Sequence, residues 1–146
     1  MTRLRSSLFA ILLAASALAT AEPLAVVVNP DSGITRLSRA EVGRLFMGAQ
    51  TRFKSGLVAL PVEPLNPGAD RARFYQMLVN LPLPRVRSYW AQMYFSGQAQ
   101  PPHQARDYQE VLEIVANSKG AVGFVAQSQV KGQVRVVLTL DESESR

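Results

Sequence analysis

This chain combines short runs typical of β-strands with segments whose apolar residues recur every three or four positions. The strand-like runs lie at residues 24–28, 57–64, 121–126 and 134–140, and the helical segments lie at about residues 38–48, 69–81, 84–95 and 108–119. Strands separated by helices form an α/β domain, in which crossovers are right-handed by default. The sequence therefore predicts an α/β fold with a mixed sheet flanked by helices.

The first helix has the clearest local signals. Ser38 is followed three residues later by Glu41, which is the spacing of a capping box. Leu45 and Phe46 then lie on one helical face, and Gly48 ends the segment. These residues predict a short amphipathic helix that packs on the core.

The second strand-like run contains two prolines. Pro61 and Pro64 lack the backbone N–H group that a strand donates to its neighbour. We therefore expect this strand to lie at an edge of the sheet or to be bulged.

The first residues have the pattern of a secretory signal peptide. Arg3 and Arg5 precede an apolar run over residues 8–18, and small residues follow up to Ala21. The apolar run is too short for a membrane-spanning helix, which needs about 20 residues. We expect a signal peptide over residues 1–21 that is cleaved after about Ala21, which predicts a periplasmic location.

The remaining residues are enough for one domain. Residues 22–140 can bury an adequate core, whereas the charged, serine-rich tail 141–146 is predicted to be disordered. The chain has no cysteine, so it has neither a disulfide nor the acylation site of a lipoprotein. We therefore expect one soluble domain with no membrane anchor.

Charge and composition argue against several classes of function. The formal net charge of +5 would fall to +3 without Arg3 and Arg5, and the other arginines are scattered, whereas nucleic-acid binding needs a concentrated basic stripe. His103 is the only histidine, and we place it in an exposed loop. Metal sites usually need three or four ligands, and the sequence has no nucleophile elbow or phosphate-loop lysine. We expect no nucleic-acid partner, no metal, no cofactor and no enzymatic activity.

The loop before the second helix is the best candidate for a binding site. A helix amino terminus preceded by glycine offers unpaired N–H groups and the positive end of the helix dipole, where an oxyanion can bind. The candidate ligand-binding residues of this loop are Asn66, Gly68, Ala69, Asp70 and Arg71.

A second loop also contains candidate donors. Ser32 and Gly33 follow the first strand, and the loops after strands gather at one rim in α/β sheets. We expect Ser32 and Gly33 beside the same rim, with an ordinary turn as the alternative.

Three segments occur in a distinctive order. They are Leu-Ser-Arg-Ala-Glu-Val-Gly-Arg-Leu-Phe-Met-Gly at residues 37–48, Asn-Pro-Gly-Ala-Asp-Arg-Ala-Arg-Phe at residues 66–74 and Gly-Ala-Val-Gly-Phe-Val at residues 120–125. In sequence and spacing they resemble the second lobe of the periplasmic phosphate-binding proteins of ABC importers. That family typically has Leu-Ser-x-x-Glu-(Val/Leu)-x-x-Ile-Phe-x-Gly, Asp-Gly-Ser-Gly-Thr-(Arg)-x-x-Phe and Gly-Ala-Ile-Gly-Tyr-Val. The resemblance covers about residues 24–126 and implies a single lobe of a type 2 periplasmic-binding-protein-like fold.

The resemblance also implies a ligand. In the family, serine and threonine hydroxyls and an aspartate of the second segment hold phosphate between two lobes. Aligned on Phe74, these three positions are Gly68, Asp70 and Asn66, and Arg71 matches an arginine found in many relatives. Because this chain supplies one lobe, the resemblance implies a small oxyanion such as phosphate, covered by another subunit or by a periplasmic protein partner.

The charges and the loop leave alternatives open. A carboxylate about 5 Å from a monoanion costs roughly 3 kcal/mol at an effective dielectric constant near 20, so Asp70 opposes an anion unless Arg71 and Arg73 offset it. Arg71 could equally pair with Asp70. Asn66 as the N-cap, with Pro67 as the first helical residue, would explain the loop without a ligand.

A different class of function fits the same fold. The chain could be a protein-interaction or regulatory module that kept the lobe and lost its ligand. An exposed aromatic pair at Tyr94 and Phe95 would indicate such a contact surface.

Overall fold

A computed structural model describes residues 21–145 of the chain. Residues 1–20, which carry almost all of the expected signal peptide, lie outside this range, so the signal peptide stays a prediction. The strands are β1 Leu24–Val28, β2 Leu60–Pro64, β3 His103–Ala105, β4 Ala121–Ala126 and β5 Arg135–Leu140. The α-helices are α1 Arg39–Phe46, α2 Gly68–Val79, α3 Leu83–Phe95 and α4 Tyr108–Asn117.

The strands form one mixed sheet in the order β3-β2-β4-β1-β5. β2 is parallel to β3 and to β4, whereas β1 is antiparallel to both of its neighbours, β4 and β5. Four strands therefore run in one direction and β1 runs in the other. We call the end of the sheet where β2, β3, β4 and β5 finish the carboxyl edge. The predicted α/β fold with a mixed sheet is confirmed.

Each face of the sheet is covered by a separate hydrophobic cluster. Along β1, Leu24, Val26 and Val28 point to the face covered by α1, α2 and α3, whereas Val27 points to the face covered by α4. Because β1 is buried on both faces, its sequence is a continuous apolar run rather than an alternating one.

The proline-containing strand β2 is an interior strand, so the prediction of an edge position is wrong. β4 pairs with β2 up to Val62, and β3 pairs with it from Val62 onward. The N–H of Leu60 points to the β4 side and that of Leu65 to the β3 side, which shows how the donors alternate along the strand. Pro61 therefore faces β3 before that pairing begins, and Pro64 faces β4 after that pairing ends. Neither proline removes a hydrogen bond of the sheet.

Gly120 lies where two backbone segments approach each other closely, after the end of the fourth helix. The helix ends at Asn117 with Ser118 as its C-cap. A Cβ atom on Gly120 would lie 2.2 Å from the carbonyl oxygen of Val58, so the residue must be glycine because another backbone segment passes against it.

Two other segments differ from the expectation. His103 is exposed, but it begins the short strand β3 rather than lying in a loop. The tail, for which disorder is expected, forms a 3-10 helix over Glu142–Ser145, and the Glu142 carboxylate accepts a hydrogen bond from Arg73 at 2.9 Å.

The capping box of α1 is formed as predicted. Ser38 Oγ accepts a hydrogen bond from the N–H of Glu41 at 3.1 Å, and the Glu41 carboxylate accepts one from the N–H of Ser38 at 2.8 Å. The Ser38 amide, together with the Lys54 ammonium, lowers the pKa of Glu41 from 4.5 to about 2.

This lowered pKa predicts how acid affects the domain. Because the pKa of Glu41 is lower in the folded state, its contacts stabilise the fold above about pH 4.5 and are lost as the pH falls toward about 2. The substitution Glu41→Gln keeps a hydrogen-bond acceptor but cannot titrate. We expect the free energy of unfolding of this variant to decrease less than that of the parent as the pH falls through this window. Urea denaturation between about pH 2 and pH 7 measures the difference. Identical pH profiles for the two chains would contradict the assignment.

Candidate functional site

The loop between β2 and α2 lies at the carboxyl edge. α2 begins at Gly68, its N-cap is Pro67, and no side chain caps its first amides. Asn66 is exposed, and its side chain accepts no hydrogen bond from the helix within the described residues. The alternative in which Asn66 caps the helix and Pro67 is its first residue is therefore wrong, and the first turn of α2 is left without a side-chain cap.

Two backbone amides at this helix end are free. The N–H groups of Asp70 and Arg71 donate to the carbonyl oxygen of Pro67 at 3.2 and 3.3 Å. The N–H groups of Gly68 and Ala69 have no acceptor among residues 21–145, and both residues are exposed. A Cβ atom on Gly68 would meet open space. The 12-residue helix thus presents two donors at the positive end of its dipole.

The Arg71 side chain is bound to a buried carboxylate. It therefore does not extend into the solvent beside the two free amides. Its Nη2 donates to Glu63 Oε1 at 2.6 Å, and the Glu63 residue is only 2% exposed. The hydroxyl of Tyr75 donates to the other oxygen of Glu63, also at 2.6 Å. Arg71 Nε is buried and has no hydrogen-bond partner in the described part of the chain. The arginine expected to face an anion, or to pair with Asp70, instead neutralises Glu63.

Asp70 is neutralised by a different arginine. Its carboxylate accepts a hydrogen bond from Arg73 Nη1 at 2.8 Å and another from the hydroxyl of Tyr108. Arg73 also donates to the Glu142 carboxylate and to the carbonyl oxygen of Glu22, both at 2.9 Å. Arg73 therefore joins α2 to the start and to the end of the described chain at the carboxyl edge.

Both tyrosine hydroxyls act as permanent donors. Burial, together with the neighbouring Glu63, raises the pKa of Tyr75 well above its ordinary value. Burial and the hydrogen bond to Asp70 raise the pKa of Tyr108. Because raised values keep both phenols protonated, each can donate to its carboxylate over the whole physiological pH range.

No unpaired cation faces the loop within the described residues. Three arginines lie near it, and each has a carboxylate partner: Arg71 with Glu63, Arg73 with Asp70 and Glu142, and Arg106 with Glu110. An anion at this loop would therefore be attracted by the two free amides and the helix dipole alone.

The other candidate loop lies at the opposite end of the sheet. Because β1 is antiparallel to β4, its last residue, Val28, pairs with Val122 near the start of β4. Ser32 and Gly33 follow Val28 in a 3-10 turn, and Ser32 Oγ accepts a hydrogen bond from the N–H of Ile34 at 3.2 Å. The prediction that Ser32 and Gly33 stand beside the α2 loop is therefore wrong, and the alternative of an ordinary turn describes them.

Sequence reasoning missed three residues of this site: Glu63, Tyr75 and Tyr108. One signal was available for Glu63, since a carboxylate within an apolar strand must pair with a cation or lose its charge. The two tyrosines had no such signal, because they occupy the same positions as ordinary apolar residues in a helical pattern.

Neither a metal site nor a membrane span is present in the described part. Within residues 21–145, no group of three or more His, Cys, Asp or Glu side chains is arranged to hold a metal ion. None of the helices in this range combines the length and apolar character needed to cross a bilayer.

The fold is similar to that of several solved phosphate-binding proteins. An ABC-type phosphate transport receptor from Vibrio cholerae superposes with a TM-score of 0.63 at 18% identity over 81% of this chain and 47% of the receptor. A protein from Clostridium perfringens assigned as a phosphate ABC transporter substrate-binding protein, solved with bound phosphate, gives a TM-score of 0.60 at 14% identity over 81% of this chain and 45% of its own. A protein from Planctomyces limnophilus assigned to phosphate binding gives 0.57 at 12% identity over 81% and 42%.

These similarities establish the fold. No protein-family model matches the sequence, and no curated protein matches it. The chain spans less than half the length of each of the three solved structures. It has the fold of a single lobe of a periplasmic-binding-protein-like structure.

Proposed function

We propose that this chain is a periplasmic solute-binding-type module that binds a small oxyanion such as phosphate at the amino end of α2. The observation that carries the proposal is the pair of uncapped, exposed amides at Gly68 and Ala69. They lie at the carboxyl edge of a lobe whose fold occurs in a phosphate-bound protein. A binding role needs no catalytic group, cofactor or metal, and the solved proteins with this fold are binding proteins rather than enzymes.

The charges at the site predict weak binding. Hydrogen bonds to a charged group contribute about 1.5 to 3 kcal/mol each, so two amides supply about 3 to 6 kcal/mol. This corresponds to a dissociation constant of about a millimolar, within a factor of roughly 30. Neither Arg71 nor Arg73 adds to it, because each is already paired.

A second surface over the loop would strengthen such a site. An oxyanion on the exposed loop keeps water on one side, and burial makes hydrogen bonds to a ligand stronger and more selective. The chain covers less than half of its structural neighbours. We therefore include in the proposal a second surface that covers the loop, supplied by another subunit or by another periplasmic protein.

A single substitution tests the role of the Gly68 amide. Gly68→Pro removes this N–H group, while proline is well tolerated as the first residue of a helix. Gly68→Ala is the matched control, because it keeps the amide and places its Cβ in open space. By isothermal titration with phosphate and with sulfate, we expect Gly68→Pro to weaken binding about 10- to 100-fold, since one hydrogen bond to a charged group is lost. We expect Gly68→Ala to bind like the parent.

The parent chain itself provides the decisive result. If it releases no heat with either anion, at low and at physiological salt, the oxyanion proposal fails. Equal binding by Gly68→Pro and Gly68→Ala would instead move the ligand away from the helix end.

One observation favours a second candidate, a protein-interaction or regulatory module that has lost its ligand. The Glu63 carboxylate already neutralises Arg71, as a bound anion would, and it is part of the chain itself. Crosslinking in the periplasm tests this candidate. Recovery of no specific protein by the parent chain would count against it.

A further inference from the structure

The outward face of α3 carries apolar and basic side chains that the fold does not use. Phe95, the last residue of the helix, is 87% exposed, and the neighbouring Tyr94 is 62% exposed. Their rings form an edge-to-face pair with centroids 6.0 Å apart. They are the two most exposed large hydrophobic side chains of the described residues.

The geometry of the helix explains this exposure. α3 packs on the core through Val86 and Trp90, which are both buried. Phe95 lies nine positions after Val86, which is about 180° around a helix with 3.6 residues per turn. Its side chain therefore projects directly away from the domain, and no repacking of α3 on the core could cover it while Val86 stays buried.

The charged side chains of the same helix are all basic. Arg85 and Arg87 are exposed, and neither has a carboxylate within ion-pair distance in the described chain. α3 itself contains no acidic residue. Two copies of this face would bring arginines against arginines, which disfavours a symmetric dimer through α3.

We propose that the outward half of α3, with Phe95 at its centre, Arg87 and Tyr94 on one side and Arg85 on the other, binds an anionic lipid surface as a peripheral contact. The arginines complement the negative charge of the headgroups, the amphipathic ring of Tyr94 favours the membrane interface, and the apolar ring of Phe95 can insert among the acyl chains. The rings protrude from the end of a helix, and a bilayer can accept a protruding group of any shape, whereas a protein partner needs a matching pocket. This inference does not depend on the oxyanion proposal.

The test measures sedimentation with lipid vesicles. The chain is used without residues 1–21, because their apolar run would bind lipid by itself, and residues 21–145 contain both core clusters. One set of vesicles is phosphatidylglycerol mixed with phosphatidylcholine, and the other is phosphatidylcholine alone. We expect binding to the anionic vesicles that weakens as salt is raised.

Matched variants distinguish lipid binding through α3 from nonspecific adsorption of the protein to the vesicles. Phe95→Ser is expected to weaken binding at least tenfold, because it removes an aromatic ring that would be buried in the lipid, and this effect is larger than the loss of one charge. Arg87→Gln is expected to weaken it about fivefold. The controls are Val136→Ser, which removes a 41% exposed apolar side chain from β5, and Lys131→Gln, which removes a positive charge from an exposed loop. Both controls are expected to bind like the parent.

Three results would overturn the proposal. The first is equal binding of the parent to anionic and neutral vesicles, and the second is unchanged binding of Phe95→Ser. The third is no binding of the parent to either vesicle, which would leave an acidic protein surface as the occupant of this face.

Discussion

Glu63→Ala is expected to lower the free energy of unfolding by about 3 to 5 kcal/mol, because it leaves a buried guanidinium without a counterion. Glu63 is 2% exposed and lies 2.6 Å from both Arg71 Nη2 and the hydroxyl of Tyr75. In the variant, both donors lose their acceptor, and Arg71 Nε already has none within the described residues. Urea denaturation monitored by circular dichroism measures this change as a shift in the midpoint urea concentration of unfolding.

A double variant separates the loss of the pair from the loss of packing. Glu63→Leu combined with Arg71→Met replaces both charges by apolar side chains of similar size, and such replacements are often neutral or stabilising. We expect the double variant to recover part of the stability that Glu63→Ala loses, because the charge of Arg71 is gone but the buried Tyr75 hydroxyl still lacks its acceptor. A double variant as unstable as the single one would show that the unpaired charge of Arg71 is not the main cost of Glu63→Ala.

The same carboxylate links the fold to the proposed function. Glu63→Gln keeps one acceptor oxygen, turns the other into an amide NH2 group, and removes the negative charge that neutralises Arg71. If the oxyanion binds at the amino end of α2, the freed positive charge should strengthen binding of phosphate in the same titration that tests Gly68→Pro. If binding is unchanged, Arg71 has only a structural role.

Phe74→Ala is expected to destabilise the domain by about 3 to 5 kcal/mol, the usual cost of removing a large buried aromatic ring. Phe74 of α2 stacks on Phe124 of β4 with ring centroids 3.8 Å apart and an angle of 8° between the planes. It also contacts Phe46 of α1 edge-on at 4.9 Å and Tyr75 at 5.3 Å. The ring thus connects two helices to the centre of the sheet, so its loss leaves a cavity that several elements cannot fill together.

Two comparisons make this result specific. Phe74→Leu retains most of the volume and is expected to cost about 1 to 2 kcal/mol. Phe95→Ala removes the same group from the outward face of α3 and is expected to change stability by less than about 0.5 kcal/mol, because Phe95 is 87% exposed. Thermal and urea unfolding should both rank Phe74→Ala as the least stable of the three variants, Phe74→Leu next and Phe95→Ala as the most stable. A Phe74→Ala variant as stable as Phe95→Ala would contradict the packing described for this core.

The order of the elements follows from the sequence because its signals are local. The capping box of Ser38 and Glu41 involves residues three positions apart, and the helical faces are set by spacings of three and four. The buried strands β1 and β4 are continuous apolar runs. β3 has only three residues, of which Ala105 alone is buried, so no periodic pattern could reveal it.

The sequence by itself determined the α/β class, the capped first helix, the buried strands and the loop that opens α2. The tertiary structure alone decided which charges meet in that loop and which loops share an edge. Arg71 pairs with Glu63, Arg73 with Asp70, and the Ser32 turn lies at the far end because β1 runs against its neighbours. The physical reason is that caps and helical faces depend on residues within one turn of the chain, whereas strand direction and ion pairing depend on how distant segments come together.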